Sequence, residues 1–141
     1  MNPHAAAPPE LRQRIALVDG SNVAHATGGD VGRLANIEIV CRKLVAEGFA
    51  PYVVVDAALR HHVDDAAGYQ RLVENGTLRQ APAGTDADYF ILSFARELDA
   101  WIVSNDRFRD REKAFPEVRE RVIRYMILND EVVFERRSKR R

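Results

Sequence analysis

The sequence predicts an α/β domain: a central, mainly parallel sheet between two layers of helices. Two observations carry this. Short apolar, β-branched runs alternate along the chain with segments of helical period, the pattern of parallel strands joined by crossover helices. The runs are continuously apolar instead of alternating with polar residues, which fits strands buried on both faces.

Taken in order, Ile15-Ala-Leu-Val18 reads as a first strand that stops at Asp19-Gly20-Ser21-Asn22, a group of turn formers. Between Gly32 and Gly48, apolar residues recur at Leu34, Ile37, Cys41, Leu44 and Val45, a helical period with glycine at both ends. Cys41 lies on that stripe and reads as a packing residue. Pro51-Tyr-Val-Val-Val55 is a second buried strand. Residues 64–75 form a weaker helix ending at Asn75-Gly76, and Thr77 to Gln80 a third short strand. Asp86 to Leu98 is a helix rich in apolar residues, among them Ile91, Leu92, Phe94, Ala95 and Leu98. Ala100-Trp-Ile-Val103 is a fourth strand, with Trp101 in the core, and it stops at Ser104-Asn105-Asp106. Beyond a charged segment containing Pro116, residues 122–128 and 132–134 read as closing strands around an Asn129-Asp130 turn.

The length, 141 residues, suits one domain. We place it at residues 14–135, after a flexible lead-in at 1–13 and before a basic tail at 136–141. No run approaches the roughly 20 apolar residues needed to span a bilayer. The first residues lack the basic and apolar regions of a signal peptide. The single cysteine excludes an internal disulfide framework and a cysteine-based zinc cluster, so a reducing cytoplasm is the expected setting. The formal net charge is zero, but Arg136-Arg-Ser-Lys-Arg-Arg141 holds five positive charges and leaves 16 basic against 21 acidic residues. An acidic body that binds a polyanion needs local devices, such as a cation at a carboxylate cluster or a basic arm. The plainer reading of the tail is a solvated end.

In open α/β sheets, ligands bind beyond the carboxyl ends of the strands. Asp19 follows the first strand there, Asp106 follows the fourth, and Asp86 and Asp88 open the helix after the third. Asp110 lies four residues after Asp106 and reaches back if the chain turns helically. Two unit charges roughly 4 Å apart cost about 4 kcal/mol even at an effective dielectric of about 20. Such a cluster persists only if protons or a cation neutralise it. Oxygen-only donors favour Mg²⁺ or Mn²⁺ over zinc. Because Mg²⁺ keeps waters and binds substrate phosphates, phosphodiester hydrolysis is the natural reaction. Singly, each aspartate has a plainer role as a turn former, helix cap or first-turn charge. Their occurrence together at three strand ends favours a site.

Asp19-Gly-Ser-Asn-Val-Ala-His25 and Val103-Ser-Asn-Asp-Arg-Phe-Arg-Asp110 resemble the two signature segments of the Regnase-type (MCPIP-like) NYN ribonucleases, a branch of the PIN-like superfamily. Tyr125-Met-Ile-Leu-Asn-Asp130 resembles that family's closing strands, so the resemblance runs from about Ile15 to Phe134. It implies a PIN-like, Rossmann-like three-layer fold and magnesium-dependent endonucleolysis of single-stranded or stem-loop RNA. By match, Asp19 and Asp106 become the central metal carboxylates, Asp88 and Asp110 the flanking ones, and Asn22 a group that orients a water or a phosphate. The chain departs from the family at Ala87, where a second adjacent aspartate is usual. Asp86 either supplies that missing carboxylate or only caps its helix. The family's zinc finger is absent. The resemblance also allows a homodimer, since PIN-like domains often pair.

Arg107, Arg109 and Arg111 flank the expected site and are candidates for bidentate phosphate contacts, against the alternative of a solvated face. Arg60, in a loop after the second strand, is a further candidate, while His61 and His62 beside it read as surface residues. Ser21 and Ser104, inside the signature segments, are assigned to RNA contact. Gly28-Gly29-Asp30-Val31-Gly32 has the wrong spacing for a dinucleotide fingerprint. One competing class is a catalytically weak or inactive RNA-binding or toxin-type module. Another is a phosphatase or receiver using Asp19 covalently. Against the latter, Ser21 stands where a second aspartate is needed, and no lysine directly follows the fourth strand.

Overall fold

The computed structural model describes residues 14–135; the lead-in and the basic tail expected at 1–13 and 136–141 lie outside the described residues. Five strands form one parallel sheet: β1 (Arg14–Asp19), β2 (Phe49–Val55), β3 (Leu78–Gln80), β4 (Trp101–Val103) and β5 (Val122–Ile123). Their order across the sheet is β3-β2-β1-β4-β5. The chain therefore builds outward from β1 on one side and, after β3, returns to build outward on the other. The reversal between β1 and β4 is the switch point at which such sheets bind ligands.

The helices are α1 (Gly20–Ala24), α2 (Leu34–Ala46), α3 (Ala66–Glu74), α4 (Ala87–Leu98) and α5 (Val118–Arg121), with short 3₁₀ turns at Ala57–His61 and Arg109–Arg111. Alternate strand residues feed two cores, as the pleat requires. Ala16, Val18, Val53, Val55, Val103 and Ile123 pack with α2 and α3 on one face. Leu17, Val54, Ile102 and Val122 pack with α4, Phe115 and Val118 on the other. The three layers expected from the sequence are present. Trp101 and Cys41 are partly buried against the first core, and burial pushes the Cys41 thiol up to about 11. Among the described residues no helix is long and apolar enough to cross a membrane.

Two local readings need correction. Gly20–Ala24 is a short helix, not a turn, because the Asp19 carboxylate caps it by accepting from the Asn22 N–H at 3.4 Å. Buried Asn36 secures its other end, donating from Nδ2 to the Val23 and Ala24 carbonyls at 3.2 Å each. Residues 122–128 are also not one strand. Val122 and Ile123 pair parallel with Ile102 and Val103, and then the chain leaves the sheet at Arg124. Tyr125–Leu128 (β6) pairs antiparallel with Glu131–Phe134 (β7) in a separate hairpin. Asn129 and Asp130 turn it, both at positive φ (52° and 62°), as a two-residue primed turn requires.

Gly20 stands where α1 leaves the sheet against β2. A Cβ there would lie 2.5 Å from Val55 Cγ1 and 3.1 Å from the Val54 carbonyl oxygen. Gly20→Ala should therefore destabilise the fold by about 1–3 kcal/mol through overpacking. Urea unfolding should show a lower midpoint with an unchanged slope; an unchanged midpoint would mean that β2 and α1 separate freely.

Candidate active site

The switch point is built around a carboxylate that the sheet buries. Asp19, the last residue of β1, is only 8% exposed. Its Oδ1 caps α1, and its Oδ2 accepts from the Ser104 hydroxyl at 2.8 Å, one residue beyond β4. Ser104 is fully buried, and its Oγ also accepts from the Asp106 N–H at 3.0 Å. One hydroxyl thus joins the ends of the two strands and aims the following turn. Asp106 Oδ1 accepts from the Phe108 N–H at 2.8 Å, closing an Asx turn that Phe108 continues at φ 53°. The buried Phe108 ring anchors this turn in the second core.

Asn22 is held by a second network. Its Oδ1 accepts from the Asn105 backbone N–H at 3.0 Å and from the Tyr125 hydroxyl at 2.6 Å. A backbone N–H only donates, so the atom facing it must be the amide oxygen, which fixes the amide's orientation. Tyr125 is locked in turn by Asn105: its N–H donates to Asn105 Oδ1 at 3.1 Å, and its carbonyl accepts from Asn105 Nδ2 at 3.0 Å. Burial, reinforced by the charge of Asp19, pushes the Tyr125 hydroxyl well up, so it stays a donor. With both lone pairs of Oδ1 used, Asn22 offers the site its Nδ2 donor and not a metal-ligating oxygen.

The carboxylates act on one another. Burial, chiefly, pushes Asp19 up to about 6; its hydrogen bonds from Ser104 and Asn22 oppose this, and the charges of Asp88 and Asp106 add to it. Asp88, in the first turn of α4, is also raised, by burial and then by Asp106 and Asp110. The four aspartates therefore form one electrostatic group, Asp110 entering it from the 3₁₀ turn. None of them makes an ion pair among the described residues. The group is open, since no three His, Cys, Asp or Glu side chains among the described residues converge as a ready-made metal cage.

Other candidates sit elsewhere. Asp86 is the N-cap of α4: Oδ1 accepts from the Asp88 N–H at 3.1 Å and the Tyr89 N–H at 3.4 Å, and Oδ2 is paired with Arg111. Both oxygens of Asp86 are thus engaged, in the helix cap and in the ion pair with Arg111. Ser104 cannot touch RNA, being fully buried with its hydroxyl engaged. Ser21 Oγ faces β2 and accepts from the Asp56 N–H at 3.1 Å. Arg60 lies on the β2 side, exposed, its Nε on His61 Nε2 at 3.2 Å. Arg107 and Arg109 lie on the other side, in a groove that begins at Asp106. Sequence reasoning missed Asn105 and Tyr125; Asn105 stands in the second signature segment and Tyr125 opens the closing strands, but nothing local shows that they meet Asn22.

A family model, the Zc3h12a-like ribonuclease NYN domain, matches residues 12–141. No curated protein matches the sequence significantly. Among solved structures, the chain is similar to the nuclear proteinaceous RNase P 2 (PRORP2) of Arabidopsis thaliana. One structure of it superposes with a TM-score of 0.71 at 22% identity over 90% of this chain, and another with 0.69 at 23% over 91%. The chain spans 30% and 31% of those proteins' lengths. At this identity the likeness shows the fold alone, an α/β domain with a central parallel sheet.

The raised Asp19 gives a pH test. A carboxyl whose folded value (about 6) exceeds its usual 3.8 binds more protons folded than unfolded between those two points, so stability falls as pH rises through that window. Without divalent cations the loss should reach about 3 kcal/mol. Asp19→Asn keeps an acceptor for the Asn22 N–H but sets an NH₂ donor where the Ser104 hydroxyl now donates, so it removes the buried charge together with one hydrogen bond. It should melt higher than the parent above pH 6 and not below pH 4. Equal melting temperatures at neutral pH would remove the buried charge from the description.

Proposed function

The chain belongs to the Zc3h12a-like ribonuclease NYN domain family, and on that premise we propose that it is a metal-dependent endoribonuclease acting on single-stranded or stem-loop RNA. One observation carries the proposal: Asp19, Asp88 and Asp106, from three separate strand and helix ends, share one field, and none of them is ion-paired among the described residues. The donor set is oxygen only and open, which suits Mg²⁺ or Mn²⁺, since magnesium takes one or two protein carboxylates and otherwise waters and phosphate. One or two of Asp19, Asp106 and Asp88 would bind the ion directly and the rest through its waters, with Asp110 at the flank. A bound ion supplies positive charge to the scissile phosphate and lowers the pKa of the attacking water.

The remaining work falls to the chain's own groups. Asn22 Nδ2 donates to a phosphate oxygen or to the attacking water, and the Tyr125 and Asn105 bonds hold it at a fixed angle. Ser104 holds Asp19 Oδ2, the Asn22 N–H holds Oδ1, and together they keep that carboxylate ionisable against its burial. Arg107 and Arg109 bear on the phosphates beside Asp106.

Attack by water and not by the ribose 2′-hydroxyl leaves 5′-phosphate and 3′-hydroxyl ends. Incubated with a labelled single-stranded RNA and Mg²⁺ or Mn²⁺, the protein should give internal cuts with those ends and none in chelator. Asp106→Asn should lower the rate by roughly a thousandfold. Products ending in 2′,3′-cyclic phosphate, or cutting that survives chelation, would sink the mechanism. Metal-independent RNA binding without cleavage would instead support an inactive RNA-binding module.

A further inference from the structure

We infer that the groove beginning at Asp106 is the path of the RNA strand flanking the scissile phosphate, held by Arg119 and Arg124 through its backbone and without regard to sequence. This rests on the ribonuclease reading for the identity of the ligand and extends it to residues outside the carboxylate group. The groove has a volume of about 500 Å³, within the range of nucleotide-sized sites. Four guanidiniums reach it from three places in the chain: Arg107 and Arg109 after β4, Arg119 on α5, and Arg124 at the break between β5 and β6.

What marks the groove is which arginines are left uncommitted. A second cavity, of about 240 Å³, lies across α5 between that helix and α4. There Arg96 is bound to Glu117 at 2.7 Å and Arg121 to Asp99, so that cavity is self-neutralised. Arg111 is likewise taken by Asp86. On the groove side, Arg107, Arg109 and Arg124 make no ion pair among the described residues, and Arg119 has only a loose, exposed pair with Glu112 at 3.5 Å. Residues 119 and 121 of one short helix thus serve opposite purposes. Arg121 closes a structural pair, and Arg119, held only by its loose pair with Glu112, lines the groove that begins at Asp106.

The remaining lining narrows the ligand. Glu112 and Glu135 also face the groove, so it is not a uniform basic surface. A single strand can bring its phosphates to the arginines one at a time, whereas the dense paired backbones of a duplex would also press on the two glutamates. Among the described residues no aromatic side chain lines it, so it lacks the aromatic platforms on which sequence-specific readers of single strands splay and stack bases. Phosphate contacts alone position a strand and carry no sequence information.

The test uses the full chain carrying Asp19→Asn, to prevent cleavage, and fluorescein-labelled single-stranded oligo(U) and oligo(A). Affinity is read by anisotropy across a KCl series. Arg119→Ala with Arg124→Ala should weaken both oligonucleotides alike, by roughly tenfold. The salt slope should fall by about 0.7 for each phosphate that the variant no longer neutralises. The charge-preserving pair, Arg119→Lys with Arg124→Lys, should keep most of the slope, and Arg121→Ala should change neither quantity. If the double alanine variant melts without cooperativity, Arg119→Glu, at an exposed position, carries the same test. Affinity and slope equal to those of Arg121→Ala, in a protein whose parent cleaves RNA, overturn the groove assignment. A parent that cleaves no RNA, combined with loss of binding in the double variant, overturns the ribonuclease reading and leaves the groove as an RNA path.

Discussion

A carboxylate buried at the end of a parallel strand is costly, and the rest of this site follows from how Asp19 is kept. Desolvation drives it toward the neutral form, and only two donors hold it toward the charged one. One of these is the Ser104 hydroxyl at 2.8 Å, which is also the contact that binds the end of β1 to the end of β4. Because the same oxygen accepts from the Asp106 N–H, the position of the second carboxylate depends on the first. The sheet does not merely carry these residues: the strand order puts β1 beside β4, and the hydroxyl turns that adjacency into a fixed pair of acids.

The second layer of control comes from outside the sheet. The β6–β7 hairpin leaves the fifth strand at Arg124, and its first residue, Tyr125, reaches back to Asn22. Asn105 completes the arrangement by bonding Tyr125 through its side chain and Asn22 through its backbone. An amide whose oxygen is saturated presents its NH₂ in a single orientation, as the donor that the proposed reaction would use. Such preorganisation avoids reorganisation at the moment of reaction, where electrostatic catalysis gains most.

Much of this was legible in the chain. Continuous apolar runs such as Leu17-Val18 and Val53-Val54-Val55 announced strands buried on two faces, and the structure puts their alternate residues into two cores. The approach of Asp19, Asp88 and Asp106 followed from one rule about strand ends. The finer assignments depended on partners that local sequence does not reveal. Asp86 reads from its position as a helix cap or a ligand, and nothing local announces the pairing of its second oxygen with Arg111, 25 residues away. Ser104 looks like a surface hydroxyl in a polar turn, and only the packing of β4 between β1 and β5 shows that it is buried. The break at Arg124 was hidden because Val122 to Leu128 is apolar enough for one strand, while the parallel partner of its first half and the antiparallel partner of its second are set by tertiary structure.

The central claim is that Asp19, Asp88 and Asp106 share one cation. Paramagnetic Mn²⁺ titrated into isotope-labelled protein tests it directly, because amide resonances near the ion broaden first. At substoichiometric Mn²⁺ the amides of Asp19, Asn22, Asp88 and Asp106 should fade together, while those of the exposed acidic turn at Asn129 and Asp130 persist. Broadening that begins at Asp130 or other exposed carboxylates, or that spreads evenly over the chain, would contradict a shared metal site at the switch point.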